Sequence, residues 1–202
     1  MNNQKILDML KENKIEELKQ LLENEILLEP VKNTSRKTAY KNVIKQLKKV
    51  KNVVLQHCLY SNDYQYFTNT YWAFKCNKNN YNPLIPEINE NKYYPDIEKI
   101  FNDTTAYCFS VATFKAEDLL NKIRECKTFN NKNNKELKLN LNNTCRWVNY
   151  DYLELIINYM YDKNDEVIIH YSDGAYRPLV FSKNEDDTKA LLCVLNIKEN
   201  ER

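Results

Sequence analysis

The chain has 202 residues, 43% hydrophobic and 29% charged, with a formal net charge of +2. Such a balance supports a packed core of one or at most about two domains and excludes a disordered or polyionic chain. No apolar run approaches the ~18 residues that span a bilayer, and Met1-Asn2-Asn3-Gln4 leads straight into an amphipathic stretch, so a cytoplasmic protein with no membrane partner and no secretory signal is expected.

In chain order, Ile6, Leu7 and Leu10, then Ile15, Leu18, Leu21 and Leu22, predict a helical hairpin over 3–28, broken at Asn13 and stopped by Pro30. Thr34-Ser35 can cap a third helix over 35–50, with Ala39, Val43, Ile44, Leu47 and Val50 as its apolar stripe. Strands follow at VVLQHCLY (53–60), YQYF (64–67) and TYWAFKC (70–76), then a turn-rich segment from Asn77 to Tyr94. A strand over 107–113, a helix over 114–126 and a half-buried strand over 136–142 come next. CRWVN leads into a helix over 150–160, after which EVIIHY (166–171), AYRPLVF (175–181) and KALLCVLNI (189–197) read as three strands. Asp173-Gly174 and Asn184 to Asp187 supply their turns. A helix followed by three strands thus occurs twice, at 35–76 and 150–197. The class is α+β, with antiparallel sheets and helices on one face.

The order of pieces after Cys145 resembles the closing part of bacterial-type DNA polymerase sliding clamps. Val148-Asn149 before Tyr152-Leu153 and Ile156-Ile157 is similar to the clamp helix, and Glu166-Val167, Arg177-Pro178-Leu179, Asp186-Asp187 and Leu191 to Leu195 are similar to its strands and acidic turn. Upstream, Gln65 to Phe74 resembles the strand-turn-strand that carries a Thr-Asp-Gly-His-Arg-Leu type motif, with Asn69-Thr70-Tyr71-Trp72 in place of Asp-Gly-His-Arg. Tyr94-Pro95-Asp96 resembles an interdomain connection. Leu195-Asn196 stands where clamps usually have Met-Pro, and 202 residues are too few for the three domains of a bacterial clamp. The resemblance implies a shortened clamp: a hairpin over 1–34 and two clamp-like units, 35–103 and 104–202. Abundant Asn, Lys, Ile and Tyr fit an AT-rich genome, as of a low-GC bacterium or a phage.

Charge concentrates in one place. Lys32, Arg36, Lys37, Lys41, Lys45, Lys48, Lys49 and Lys51 lie within twenty positions that hold no acidic residue, leaving the rest of the chain net acidic. Lys37, Lys41, Lys45 and Lys48 fall on one helical face, which can meet the phosphates of double-stranded DNA without reading sequence; Arg36 and Lys49 flank it. The clamp resemblance implies the same channel-lining role for this helix. It also implies a groove for a polymerase or repair-protein peptide, with Thr68, Tyr71, Trp72 and Ala73 on one side and Leu179, Val194 and Leu195 on the other. A clamp ring needs several domains, so a homo-oligomer would be required to complete one.

Catalytic signatures are sparse. With Gly174 as its single glycine the chain can hold no P-loop, Rossmann turn or nucleophile elbow. Cys58, Cys76, Cys108, Cys126, Cys145 and Cys193 form no C-x-x-C pair and read as reduced thiols, so no metal and no cofactor is expected. His57 adjoins Cys58 in an expected strand, where neighbours point to opposite faces and cannot form a dyad. Asp162, Asp165 and Glu166, or Asp186 and Asp187, could hold magnesium in a nuclease, but they fall in expected turns. The expectation is a non-catalytic DNA-associated scaffold. The alternative is a phage or mobile-element inhibitor that presents loop aromatics (Tyr81, Tyr93, Tyr94, Tyr176) to a host nuclease or polymerase.

Overall fold

A computed structural model describes residues 3–12, 14–28, 34–78, 85–88, 93–129, 134–142, 144–174, 176–183 and 186–196. The helices are α1 (Asn3–Lys11), α2 (Ile15–Leu28), α3 (Thr34–Leu47), α4 (Ile97–Ala106), α5 (Ala116–Phe129) and α6 (Tyr150–Met160). The strands are β1 (Leu59–Ser61), β2 (Tyr64–Thr68), β3 (Trp72–Asn77), β4 (Ser110–Lys115), β5 (Glu136–Leu141), β6 (Thr144–Asn149), β7 (Glu166–Tyr171), β8 (Leu179–Lys183) and β9 (Asp186–Leu192). The predicted α+β class with antiparallel sheets holds. Asn13, Pro30, Tyr81 and Asn184 lie outside the described residues.

Seven strands form one antiparallel sheet in the order β1-β2-β3-β9-β8-β7-β4, and β5-β6 form a hairpin beside it. The two helix-plus-three-strand repeats are visible in this order. α3 precedes the meander β1-β2-β3, and α6 precedes β7-β8-β9. Their last strands meet antiparallel, with Trp72 opposite Leu192 and Lys75 opposite Lys189, while α3 packs on α6. The halves are therefore related by an approximate two-fold axis between β3 and β9. Beyond β9 the chain stays extended: the Cys193 amide donates to the Tyr71 carbonyl (2.9 Å) and that of Leu195 to Trp147 (2.7 Å), linking the large sheet to β6.

Alternation along the strands separates two cores. On one face Phe67, Trp72, Phe74, Phe181 and Leu192 pack under α3, α5 and α6. On the other, Tyr66, Ala73, Val180 and Leu191 pack against Ile97 and Phe101 of α4. The sequence reading left α4 out and so placed helices on one face only; Asp96 caps this helix, accepting from the Lys99 amide at 2.9 Å. Residues 53–56, read as strand, are instead a 3-10 turn, because the Asn52 side chain accepts the Val54 amide and curls the chain. The strand that follows shortens to β1, and His57 lies just outside it. The hairpin α1–α2 buries Met9 and Leu18, which belong to neither core.

Arg146 of β6 is buried, at 5% exposure. Its guanidinium donates to the hydroxyl of Thr144 (2.6 Å) and the carbonyls of Cys145 (2.9 Å), Ser172 (2.8 Å) and Gly174 (3.3 Å), so it ties the hairpin to the turn after β7. None of these partners is a carboxylate.

Candidate nucleic-acid and partner interface

α3 is anchored by its apolar side. Ala39, Tyr40, Val43 and Leu47 are buried, and the Tyr40 and Tyr159 ring centroids lie 4.7 Å apart. Gln46 adds a polar tie, since its Oε1 accepts from the Trp72 indole (2.8 Å) and the Asn69 amide (3.3 Å). The opposite side is exposed at Lys41, Lys45, Lys48 and Lys49. Lys45 and Lys49, with Thr38, Asn42 and Asn158, line an open groove of about 470 Å³ between α3 and α6. Lys48 faces α2, pairing with Glu17 at 3.8 Å.

The α6 wall of the groove carries Asp151 and Glu154. Lys135 meets Asp151 at 2.7 Å and Lys127 meets Glu154 at 2.6 Å, so both carboxylates are compensated from outside α3. The hydrogen bond to Asp151 raises the pKa of Lys135, which keeps that compensation in place. Arg36 sits differently from the lysines: it lies on the partly buried side of α3, with its guanidinium 3.5 Å from Asp162. The linear run of basic residues did not reveal this, because Arg36 precedes Lys37 by one residue, or about 100° of helix.

Of the carboxylates considered for metal chemistry, Asp162 and Asp165 are tied up in a turn, whereas Glu166 opens β7 and Asp186 and Asp187 open β9 instead of lying in the expected turns. Asp165 accepts the Asp162 amide at 2.9 Å and pairs with Lys183 at 2.9 Å. Burial pushes the Asp165 pKa up, but that amide, Lys183 and Arg36 outweigh it and leave the net shift downward. Stability from this carboxylate is therefore present above the ordinary aspartate value, about 3.9, and is lost as pH falls through the lowered folded value. Acid titration of unfolding followed by circular dichroism should show a shallower decline below pH 4 in Asp165→Asn than in the parent. Among the described residues, no group of three or more His, Cys, Asp or Glu is placed to hold a metal ion, and all six cysteines are free thiols. Burial raises the pKa of Cys58, and its Sγ donates to the Ile85 carbonyl (3.2 Å).

The residues of the expected peptide groove converge at one end of the sheet, where Thr68 pairs with Ala73, and Trp72 and Leu179 both pair with Leu192. Their exposure divides them. Trp72 and Leu179 are core residues at 1% and 0% exposure, and Thr68 and Ala73 are also buried. Thr68 donates to the Trp72 carbonyl at 2.6 Å. Tyr71 is 56% exposed and stacks on Tyr152 with centroids 5.7 Å apart, beside the half-buried Val194 and Leu195. Tyr152 was not singled out from the sequence as a groove residue. Its position two residues into a helix, opposite a turn in another strand, is a tertiary relation. Of the loop aromatics, Tyr93 and Tyr176 are exposed, whereas Tyr94 is buried and donates to the His57 carbonyl.

The turn beneath Tyr71 is strained. Asn69 Oδ1 accepts the amides of Tyr71 (2.9 Å) and Trp72 (3.0 Å), a role an aspartate fills equally well. Thr70 has φ 81°, in the left-handed region where a β-branched residue is disfavoured. This is the position at which the motif noted above carries glycine. Thr70→Gly should raise the unfolding free energy by about 1 kcal/mol, read from the urea midpoint at constant m-value.

No known protein family and no curated protein matches the sequence. Solved structures do match. The DnaN sliding clamp (DNA polymerase III subunit beta) of Bartonella birtlesii superposes with a TM-score of 0.57 at 11% identity, over 78% of this chain and 65% of that one. The Helicobacter pylori beta clamp gives 0.56 at 13%, over 79% and 63%, and DNA polymerase III subunit beta of Borrelia burgdorferi 0.52 at 11%, over 81% and 63%. The chain thus spans less than two-thirds of the length of these clamps, and no helix among the described residues is long and apolar enough to cross a membrane. Its fold is that of the bacterial beta clamps.

Proposed function

We propose that the chain is a non-catalytic, DNA-associated scaffold that holds a replication or repair protein near a duplex. The observation that carries this reading is the pairing of α3 with α6 on one face of a clamp-like sheet, with Lys45 and Lys49 lining the open groove between them. Ammonium groups one helical turn apart, flanked by Thr38, Asn42 and Asn158, suit contact with successive phosphates and read no bases. Lys41 and Lys48 extend the same surface, Lys37 lies half-buried beside them, and Arg36 is held against Asp162. The partner peptide lies across Tyr71, Tyr152, Val194 and Leu195, with the buried Trp72 and Leu179 supporting them from below. In this reading the hairpin over 1–34 precedes two units, 35–103 and 104–202, and a homo-oligomer completes the ring. The inhibitor alternative draws on the loop aromatics, of which Tyr93 and Tyr176 are exposed, and needs no DNA.

Fluorescence anisotropy with a labelled duplex separates the two. Binding at low salt with a linear negative slope of log K against log salt supports the scaffold, and Lys45→Glu with Lys49→Glu should weaken it by at least about tenfold. Absence of low-salt binding by the parent protein would rule the scaffold out.

A further inference from the structure

We propose, on the basis of that scaffold reading, that α2 is a displaceable acidic screen over one side of the basic face of α3. The lysines of α3 and of the turn that follows it divide by direction. Lys45 and Lys49 line the groove with α6. Lys48 lies instead in a cleft whose other lining residues, Glu16, Glu17, Lys19 and Glu23, all come from α2, and Lys37 and Lys41 share its ridge by their spacing. Three carboxylates therefore stand where a phosphate would have to come to reach Lys48, the end of that ridge, and one of them is already paired with it.

Two features make this cover reversible. The Glu17–Lys48 pair is half-exposed on both sides, the kind of ion pair that water and salt weaken most. Among the described side chains of the hairpin, Met9 and Leu18 are buried but lie outside both cores, while Leu7, Leu10, Ile15 and Leu22 are 40–55% exposed. A polyanion of high charge density competes with three glutamates for the same ammonium groups, and it gains by releasing its own counterions. A duplex in the α3–α6 groove would thus displace α2 and engage the Lys48 ridge. A more weakly charged ligand would leave the ridge covered.

The test compares two full-length variants of equal charge. Glu16→Gln, Glu17→Gln and Glu23→Gln remove the screen. Glu117→Gln, Asp118→Asn and Glu125→Gln remove three exposed charges from α5, which packs against α6 and β4. Duplex binding should strengthen about tenfold in the first variant and less than twofold in the second, and the first should gain roughly one to two units of negative salt slope. Hydrogen exchange over 15–28 in the parent protein should quicken on adding duplex. Equal gains in both variants, or none in the first, would overturn the screen while leaving DNA binding standing. If the parent does not bind duplex at low salt, the scaffold reading falls and the screen with it.

Discussion

Arg146→Ala should lower the unfolding free energy by about 3–5 kcal/mol, among the largest single-site losses in the protein. The side chain is buried and satisfies three backbone carbonyls, of Cys145, Ser172 and Gly174, together with the Thr144 hydroxyl. Alanine removes the arginine's donors from those acceptors, of which the Gly174 carbonyl keeps the Arg177 amide, at about 1–3 kcal/mol for each left unpaired where water cannot reach, and adds the cavity vacated by the guanidinium. Arg146→Met keeps most of the volume and removes only the donors. Urea unfolding of the two variants therefore separates the polar share from the packing share. A loss below about 1 kcal/mol in both would mean that the turn after β7 holds its shape without the arginine.

Trp72→Ala should cost about 3–5 kcal/mol, whereas Tyr71→Ala, one residue away, should cost less than about 1 kcal/mol. Trp72 packs edge-on against Phe67 and Phe74 and donates to Gln46 of α3, so its loss opens the core and unties the helix from the sheet. Tyr71 is largely exposed and makes one ring contact, with Tyr152. Thermal or urea denaturation measures both, and partner capture by Tyr71→Ala protein then reports on the interface with the fold intact. Equal destabilisation by the two substitutions would contradict the division between core and surface at this end of the sheet.

These neighbours also show what a sequence can and cannot convey. α6 and β7 were legible to the residue, because Leu153, Ile156, Ile157 and Met160 repeat at helical spacing and EVIIHY is bounded by turns. β5 was legible from its alternation, which its burial follows. The doubled helix-and-meander order was legible as well. α4 was missed although Ile97, Phe101 and Thr104 sit at helical spacing behind a capping Asp96, since ten residues after a Pro- and Asn-rich stretch read more readily as connection. The groove residues were found as a set but not sorted. A resemblance supplies the strand, whereas which side chains are capped by the next layer depends on residues far away, such as Tyr152 and Gln46. Likewise the charge run on α3 was plain, but its partition between α6 and α2 depends on which helices pack beside it.

The β3–β9 seam has a consequence for how the chain assembles. Residues 72–75 form ladder bonds only with residues 189–192 on that side, so the first meander keeps an open edge until more than a hundred further residues have left the ribosome. Contacts so distant along the chain slow closure and leave an unpaired strand available for wrong partners. Maturation of this protein therefore waits on β9, and truncation before that strand would leave the first meander in an aggregation-prone form.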